Sequence, residues 1–411
     1  MSERSPSDRS DERLITATSP RAVLTGLGRR MRSGDLGMMP VIVGLTIIWI
    51  VFYALNPRFL SSRNLVEISL DAATIGMISV GVVLVLLLGE IDLSIGSVSG
   101  VGGAILATLL VYQGISLPLA ILIALAAGLA IGTFYGMLYT VFGVPSFVFT
   151  LAGLLGFLGL QLTILGDRGT VNLPVSSWIV EFASFSFLSP LASYVLAVAA
   201  GLVYLAVSLR TVARRKAANL SAPSLTGIGL RAGLLIVGLV LGAYYLNIDR
   251  GIGYMPLLWV LTIVVVDLAL RRTRWGRHVF AVGGNEEAAR RAGIPVNRIY
   301  LSVFALTSMF AVLGGVLAAG RLQSVSLDSG GTDTNLMAIA AAVIGGTSLF
   351  GGRGSAYAAL FGMLVLQSIA SGLNLVGVEA EVRYIVTGAV LLLAVTIDSL
   401  ARRARRSSGR G

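Results

Sequence analysis

Apolar residues are grouped into long blocks along the chain, and short stretches rich in Pro, Gly, Asn or charged residues separate these blocks. Examples of apolar blocks are 39–55, 121–141 and 384–397. A helix on the surface of a soluble protein has a single apolar stripe, whereas these blocks are apolar or small on nearly all sides. Their lengths approach the ~20 residues that a helix needs to cross the hydrocarbon layer. We therefore predict transmembrane helices.

The same pattern predicts an all-α polytopic membrane protein with about twelve spans, some of them broken. The predicted transmembrane domain covers 39–400. The predicted helices are 39–55, 67–88, 95–111, 118–141, 147–165, 190–209, 232–247, 255–270, 299–320, 335–350, 356–376 and 383–400.

Composition agrees with a lipid environment and excludes several kinds of chemistry. The chain is 55% hydrophobic and 12% charged, with a mean hydropathy of +0.87, which is outside the range of water-soluble domains. It has no cysteine and one histidine, His278, which we interpret as a solvated side chain at the membrane interface. Disulfides, thiolate sites, zinc chemistry and hydrolytic triads are excluded. We predict no metal, no cofactor and no enzymatic activity in this chain.

The net charge of +11 indicates membrane orientation rather than nucleic-acid binding, because the arginines lie at the ends of apolar runs without interleaved aromatic residues. With alternating spans and a cytoplasmic N-terminus, 1–38 form a disordered cytoplasmic tail and 401–411 a basic cytoplasmic tail. All but six of the 31 basic residues then lie on the cytoplasmic side of a bacterial inner membrane. The six exceptions are Arg58, Arg63, Arg168, Arg250, Arg321 and Arg383.

Two segments break the apolar pattern and predict helix breaks that face the bundle interior, where protein or water can cover irregular backbone. The first, GEIDLSIGSVSG at 89–100, contains Glu90 and Asp92. The second, GGTSLFGGRGS at 345–355, contains Gly351 and Gly352. Carboxylates at membrane depth are candidate ion sites, so a secondary transporter using Glu90 and Asp92 is one hypothesis. The other hypothesis is that both carboxylates cap the broken helix and pair locally.

The loop 271–298 contains start and stop signals for a short helix. Asn285 is a suitable N-cap, acidic residues follow it, arginines lie near the helix end, and Gly293 with Pro295 stops the helix. A helix this short needs a docking surface. Its small residues could enter a groove of a partner, or the helix could rest on lipid headgroups. The candidate docking residues are Asn285, Glu286, Glu287, Ala288, Ala289, Arg290 and Gly293.

This segment resembles a known family motif. Glu287-Ala288-Ala289, three residues and Gly293 resemble the EAA-x3-G loop of ABC importer permeases. Three further strings resemble the monosaccharide branch of that family, and they stand in the family's order: GEIDLSIGS at 89–97, GVPSFVFTLAG at 143–153 and AAVIGGTSLFGGRGS at 341–355. The resemblance implies a homodimeric permease that works with an ABC ATPase subunit and a periplasmic sugar-binding protein.

The resemblance implies that a separate subunit hydrolyses ATP, and the residues of this chain agree with that. A P-loop needs a glycine-rich loop that ends in Lys and Ser or Thr, but the only lysine, Lys216, stands in ARRKAAN. ATP must therefore be hydrolysed by a separate subunit. A passive channel is a third hypothesis, but the sequence lacks the repeated ring of filter residues.

The layout of the chain is similar to that of D-xylose permeases, because additional apolar segments and a basic loop stand between the 147–165 helix and the 271–298 loop. D-xylose is therefore the first candidate substrate, and ribose, galactose or another small polar solute are the alternatives. Uncharged polar side chains suit sugar hydroxyls, although each could instead form an interhelical hydrogen bond. The pathway candidates are Gln161, Gln367 and Asn374 within helices, and Asn64 and Asn172 near the external mouth.

Overall fold

The structure is a computed structural model that describes residues 38–379, together with 381–382, 385–386, 388–389, 392 and 396. The predicted tails therefore lie outside the described residues except for Met38, and two thirds of the predicted helix 383–400 also lie outside them. The described part is nearly all helical. Its longer helices are α1 (Met39–Leu55), α2 (Ser62–Leu87), α3 (Ile95–Val111), α4 (Leu117–Thr140), α5 (Ser146–Leu165), α7 (Pro190–Ala217), α8 (Leu225–Leu246), α9 (Tyr254–Arg272), α10 (Arg274–Gly284), α12 (Val296–Leu322), α13 (Thr332–Ile344) and α14 (Tyr357–Val376).

Two short helices and two short strands complete the described elements. The short helices are α6 (Trp178–Val180), which continues as a π-helical turn over Glu181–Phe185, and α11 (Glu286–Arg291). The strands β1 (Val171–Asn172) and β2 (Ser324–Val325) pair antiparallel, with Val171 opposite Val325. One-turn 3₁₀ helices cover Pro57–Leu60 and Gly166–Arg168.

Each predicted helix within the described residues is present. In the part of the chain that the structure describes, eight helices are long and apolar enough to cross a membrane, and α1, α3 and α13 are shorter apolar helices. Two details of the prediction are wrong. The helix predicted at 335–350 ends at Ile344, because Gly345 and Gly346 follow and Gly346 has a φ of +100°. The predicted loop 271–298 is mostly helical, since α10 occupies its first half.

The described residues form two compact units. The smaller unit, Phe187–Ile252, is the hairpin of α7 and α8. Ser189 and Ser224 cap the two helix starts by accepting hydrogen bonds from backbone amides. Within the hairpin, the Asn247 side chain donates to Ser193 Oγ at 2.8 Å. Most of the exposed side chains of the hairpin are apolar, as expected for helices in lipid.

The larger unit is built around α2. This helix is almost completely buried, mainly by α12, α14, α13 and α9, whereas the outer helices α4 and α5 bury few of their residues. Small residues allow these helices to approach closely. A methyl group added at Gly81 would lie 2.7 Å from the Thr307 carbonyl oxygen, and one added at Gly132 would lie 2.2 Å from the Phe304 carbonyl oxygen. The α2–α12 and α4–α12 contacts therefore depend on glycine.

Candidate functional site

The predicted docking helix is present as α11, and its ends are stabilised as the sequence indicated. Asn285 Oδ1 accepts a hydrogen bond from the Ala288 amide at 2.8 Å. Glu286 pairs with Arg290 at 2.8 Å, and Glu287 pairs with Arg291. Gly293 follows the helix with a φ of +79°, the left-handed conformation that favours glycine. The segment is thus a capped, charge-paired helix of less than two turns.

The small-residue face of α11 differs from the prediction. Ala289 is only 4% exposed, because it packs into this chain, whereas Ala288 and Ala292 are exposed. A helix this short gains its stability from packing, and Ala289 is the side chain that provides it. The surface that α11 presents outward therefore contains Ala288 and Ala292 but not Ala289.

Aromatic side chains connect α11 to the bundle. Tyr300, on α12, donates a hydrogen bond from its hydroxyl to Glu286 Oε2 at 3.2 Å and stacks on Tyr139 of α4 with ring centroids 4.2 Å apart. Beside them is a cavity of about 440 Å³ whose lining includes Glu90, Glu286 and Arg290. The docking helix and the first helix break therefore share one cavity.

The first helix break occupies the interval between α2 and α3. Gly89 has a φ of +85°, which ends α2. Asp92 is buried, and its Oδ1 accepts hydrogen bonds from the amide and hydroxyl of Ser94 at 2.9 and 2.7 Å. These contacts stabilise the turn that begins α3 and agree with the capping hypothesis. Glu90 is half-buried and lines the cavity beside α11.

The second helix break occupies the interval between α13 and α14. Gly351 and Gly352 have φ values of +77° and +70°. The Gly352 amide donates to the Leu87 carbonyl oxygen at 2.8 Å, so the two breaks are in direct contact. Ser355, just before α14, donates to Asp267 Oδ1 at 2.9 Å, and Asp267 also pairs with Arg271 at 2.7 Å.

Three of the five pathway candidates meet in one cavity. Asn64, Gln367 and Asn374 line a space of about 330 Å³ between α2 and α14, at the ends of these helices away from the two breaks. Asn64 Oδ1 accepts a hydrogen bond from Ser371 at 2.9 Å, and Gln367 lies 3.4 Å from Asp71 Oδ2. We call this space the α2–α14 cavity.

The pathway candidates did not include three further polar residues that line the α2–α14 cavity, Glu67, Asp71 and Ser371. Arg321, from the end of α12, pairs with Glu67 and with Asp71, the latter at 3.0 Å. A signal was available in the sequence. On α2, Asn64, Glu67 and Asp71 recur at the spacing of one helical face, and Gln367, Ser371 and Asn374 do so on α14. Each set is a polar stripe on an otherwise apolar helix.

The other two pathway candidates lie elsewhere. Gln161 is fully buried, and its Nε2 lies within hydrogen-bonding distance of three backbone carbonyls, those of Ser326 at 3.0 Å, Leu327 at 3.3 Å and Ser329 at 2.9 Å. It thereby satisfies an irregular segment inside the bundle. Asn172 is exposed on β1. Neither residue lines the α2–α14 cavity. Across the described residues, no group of three His, Cys, Asp or Glu side chains could hold a metal ion.

Comparison with known proteins gives one family for almost the whole chain. Residues 64–395 match the family described as branched-chain amino acid transport system / permease component. The xylose transport system permease protein of Escherichia coli (strain K12) is 36% identical over 91% of this chain and 94% of its own length. Its counterpart in Haemophilus influenzae is 34% identical over 90% of this chain and 98% of its own length.

A second group of relatives has a different printed substrate. The ribose import permease protein of Bacillus subtilis (strain 168) is 31% identical over 87% of this chain and 91% of its own length. No solved structure matches the chain significantly.

Proposed function

Because the chain belongs to the family described as the permease component of branched-chain amino acid transport systems, we propose that it is the membrane permease subunit of an ATP-driven monosaccharide importer with D-xylose as its substrate. The observation that supports D-xylose as the substrate is the similarity to xylose permeases over nearly the full length of both chains. Ribose is the second candidate, since ribose permeases are also similar, at lower identity.

The partners follow from the family and from α11. An ABC permease depends on an ATPase subunit, and importers of this kind receive sugar from a periplasmic binding protein. We assign the ATPase contact to the outward surface of α11, because it is an exposed helix end held rigidly by the Asn285 cap and the Tyr300 contact. We also propose that two copies of the permease assemble with two ATPase subunits. Native mass measurement of the purified complex tests this stoichiometry, and a functional complex with one permease copy would contradict it.

We place the sugar pathway in the α2–α14 cavity. Its volume of about 330 Å³ is near the lower end of the range of small-molecule sites. Amide, hydroxyl and carboxylate groups from two helices line it, and these groups can donate to and accept from the hydroxyls of one sugar. The pair Glu67 and Asp71 shares the Arg321 guanidinium, so the cavity can offer hydrogen bonds to ionised groups, which are the stronger kind.

Ion-coupled transport is the competing mechanism, and the geometry at Asp92 favours a structural role instead. Its Oδ1 already holds the Ser94 turn through two hydrogen bonds. The family relationship also points to ATP as the energy source. Dependence of uptake on ATP rather than on an ion gradient therefore separates the two mechanisms.

The test is uptake of radiolabelled sugars by vesicles that contain this chain with its own ATPase and binding protein. We expect D-xylose uptake that requires ATP inside the vesicle and persists in the presence of a protonophore. Unlabelled D-xylose should compete more strongly than unlabelled ribose. A non-hydrolysable ATP analogue serves as the control and should abolish uptake. Preferential competition by ribose would reassign the substrate, and uptake driven by a proton gradient without ATP would refute the ABC mechanism.

A further inference from the structure

Four glycines from three separate segments meet at one point of the larger unit. We call Gly89, Gly283, Gly351 and Gly352 the glycine junction. A methyl group added at Gly283 would lie 1.8 Å from the Leu87 carbonyl oxygen and 2.8 Å from the Gly352 nitrogen. One added at Gly351 would lie 2.4 Å from the Gly283 carbonyl oxygen and 2.9 Å from the Gly89 nitrogen. Backbone therefore packs directly on backbone in this junction.

Each of the three segments is the end of an element with a proposed role. Gly89 follows α2, and Gly351 and Gly352 precede α14, so both walls of the α2–α14 cavity end at the junction. Gly283 lies in the last turn of α10, and Asn285, the cap of α11, is two residues further along the chain. The junction thus joins the docking helix to both cavity helices.

The helices are suited to transmit a displacement from one end to the other. α2 is one continuous helix of 26 residues, about 39 Å long at 1.5 Å per residue. It begins beside Asn64 and Asp71 at the cavity and ends at the junction. Closely packed backbone without intervening side chains has no rotamers that could absorb a shift. A movement of Gly283 must therefore displace Leu87 and Gly352 or break the contact.

Hydrogen bonds between these segments strengthen this connection. The Gly352 amide donates to the Leu87 carbonyl oxygen at 2.8 Å, which ties the loop before α14 to the end of α2. The Ser355 hydroxyl donates to the Asp267 carboxylate at 2.9 Å and accepts from the Arg271 guanidinium at 3.2 Å. These two bonds tie the segment just before α14 to the end of α9, the helix that precedes α10. We call the end of α2 and the start of α14, which lie at the junction, the inner ends of these helices. Both are thus attached to α9 and α10, the helices that precede α11.

We propose that Gly283 is a positioning residue for transport: movement of α11 by the ATPase passes through the glycine junction to the inner ends of α2 and α14 and changes the width of the α2–α14 cavity. This inference rests on the proposed function. Gly283 does not contact the sugar or the ATPase in this scheme. Its role is to keep α10 close enough to Leu87 and Gly352 for displacement to be transmitted.

The sequence offers a matched pair of variants to test this role. In Gly283→Ala the new methyl group collides with backbone, whereas in the adjacent Gly284→Ala it meets nothing within 4 Å. In the complete complex, we expect Gly283→Ala to retain ATPase co-purification and basal ATP hydrolysis. The maximal uptake rate should fall roughly tenfold or more, because displacements of about 1 Å can have effects of this size, and the KM for sugar should not change. Gly284→Ala should behave as the unmodified complex.

A second measurement reports on the width of the cavity, and its first comparison, made without Gly283→Ala, does not depend on the folding of that variant. Because the chain has no cysteine, the double variant Asn64→Cys, Ser371→Cys provides a single reactive pair across the cavity, where these side chains now share a hydrogen bond. With copper phenanthroline added as the oxidant, which accepts the two electrons released by the thiols, we expect the rate of disulfide formation to differ severalfold between the nucleotide-free and the ATP-trapped complex. Adding Gly283→Ala should abolish that difference.

The outcomes separate this inference from the proposed function. A normal uptake rate in Gly283→Ala, or a disulfide rate that does not respond to ATP in the unmodified background, would overturn the role of the junction. ATP-dependent D-xylose uptake by the unmodified complex would be unaffected by either result. Conversely, absence of such uptake would refute the proposed function itself.

Discussion

Single polar residues in this apolar chain have two different uses, and Gln161 and Gln367 exemplify them. The Gln161 amide is fully buried beside the carbonyls of Ser326, Leu327 and Ser329. An irregular segment inside a bundle needs such a donor, because no water is available there. Gln367 is half-buried, lines the α2–α14 cavity and lies 3.4 Å from Asp71. The first residue stabilises the fold, and the second is available to a solute.

Replacement of each glutamine by leucine should therefore give opposite results. We expect Gln161→Leu to destabilise the permease by about 1–3 kcal/mol, because buried carbonyls lose their donor, while the KM for sugar stays unchanged. Gln367→Leu should raise the KM severalfold without lowering the unfolding temperature. The measurements are thermal unfolding in detergent and uptake kinetics in vesicles.

The control for the glutamine pair is Gln113→Leu, the same change at an exposed residue after α3, which should affect neither quantity. A raised KM with unchanged stability in Gln161→Leu would restore Gln161 as a pathway residue. An unchanged KM in Gln367→Leu would instead weaken the assignment of the α2–α14 cavity.

At the scale of elements, α11 shows how a helix of six residues can remain folded. Asn285 satisfies one free amide, the glutamates lie at the positive end of the helix dipole, and the arginines lie at the negative end. These local interactions contribute little to the stability of the helix. The burial of Ala289 and the hydrogen bond from Tyr300 therefore decide where the helix lies. The outward surface is then left to Ala288 and Ala292.

Bulky substitutions on the two sides of α11 should have distinct effects. We expect Ala288→Leu to leave the unfolding temperature unchanged and to weaken ATPase binding, because this side chain is exposed. Ala289→Leu should destabilise the permease itself by about 1–3 kcal/mol through overpacking. Co-purification of the ATPase and thermal unfolding measure these effects. Normal ATPase binding by Ala288→Leu would contradict the assignment of this surface.

The glycine that ends α11 gives an independent test of the same element. A methyl group at Gly293 would meet nothing within 4 Å, but the φ of +79° is strained for a side chain. Gly293→Val should cost about 1–2 kcal/mol of local stability, whereas Gly293→Asn should be tolerated, since asparagine adopts this conformation more readily. Transport and co-purification should fall only for the valine variant. Equal behaviour of both variants would show that the backbone conformation at this position is unimportant.

At the scale of the whole molecule, the distribution of arginine gives an orientation that can be checked. The α2–α14 cavity and α11 lie at opposite ends of α2 and α12. The basic residues of 271–298 predict a cytoplasmic position for α11 under the positive-inside rule. We therefore expect the cavity to open toward the periplasm, the side from which the proposed binding protein would deliver sugar.

Cysteine labelling can test this orientation, because the natural chain has no cysteine. In intact spheroplasts, a membrane-impermeant maleimide should label Asn374→Cys but not Ala292→Cys. After permeabilisation, both should react. Both positions are exposed in this chain, and the permease is expressed without its ATPase, which in our assignment would cover Ala292. Failure of one position to react in spheroplasts then reflects sidedness. Labelling of Ala292→Cys from outside would reverse the orientation.

The sequence by itself determined much of the architecture. Lipid excludes unpaired backbone, so helix is the only solution for isolated apolar segments, and each apolar block within the described residues is a helix. Local signals were equally reliable where one residue acts on its neighbours. The Asn285 cap, the left-handed Gly293 and the breaks at Gly89 and Gly351 depend on short-range geometry.

Only the tertiary structure decided which distant residues meet. Gln161 and Gln367 are equally polar in the sequence, but one stabilises a backbone segment and the other lines a cavity. Ala289 is buried because α11 packs on neighbouring elements, which no local pattern specifies. The glycine junction joins segments more than 60 residues apart, since Gly89, Gly283 and Gly351 are far apart in the sequence. Helix formation is local, whereas contacts between helices depend on the packing of the whole bundle.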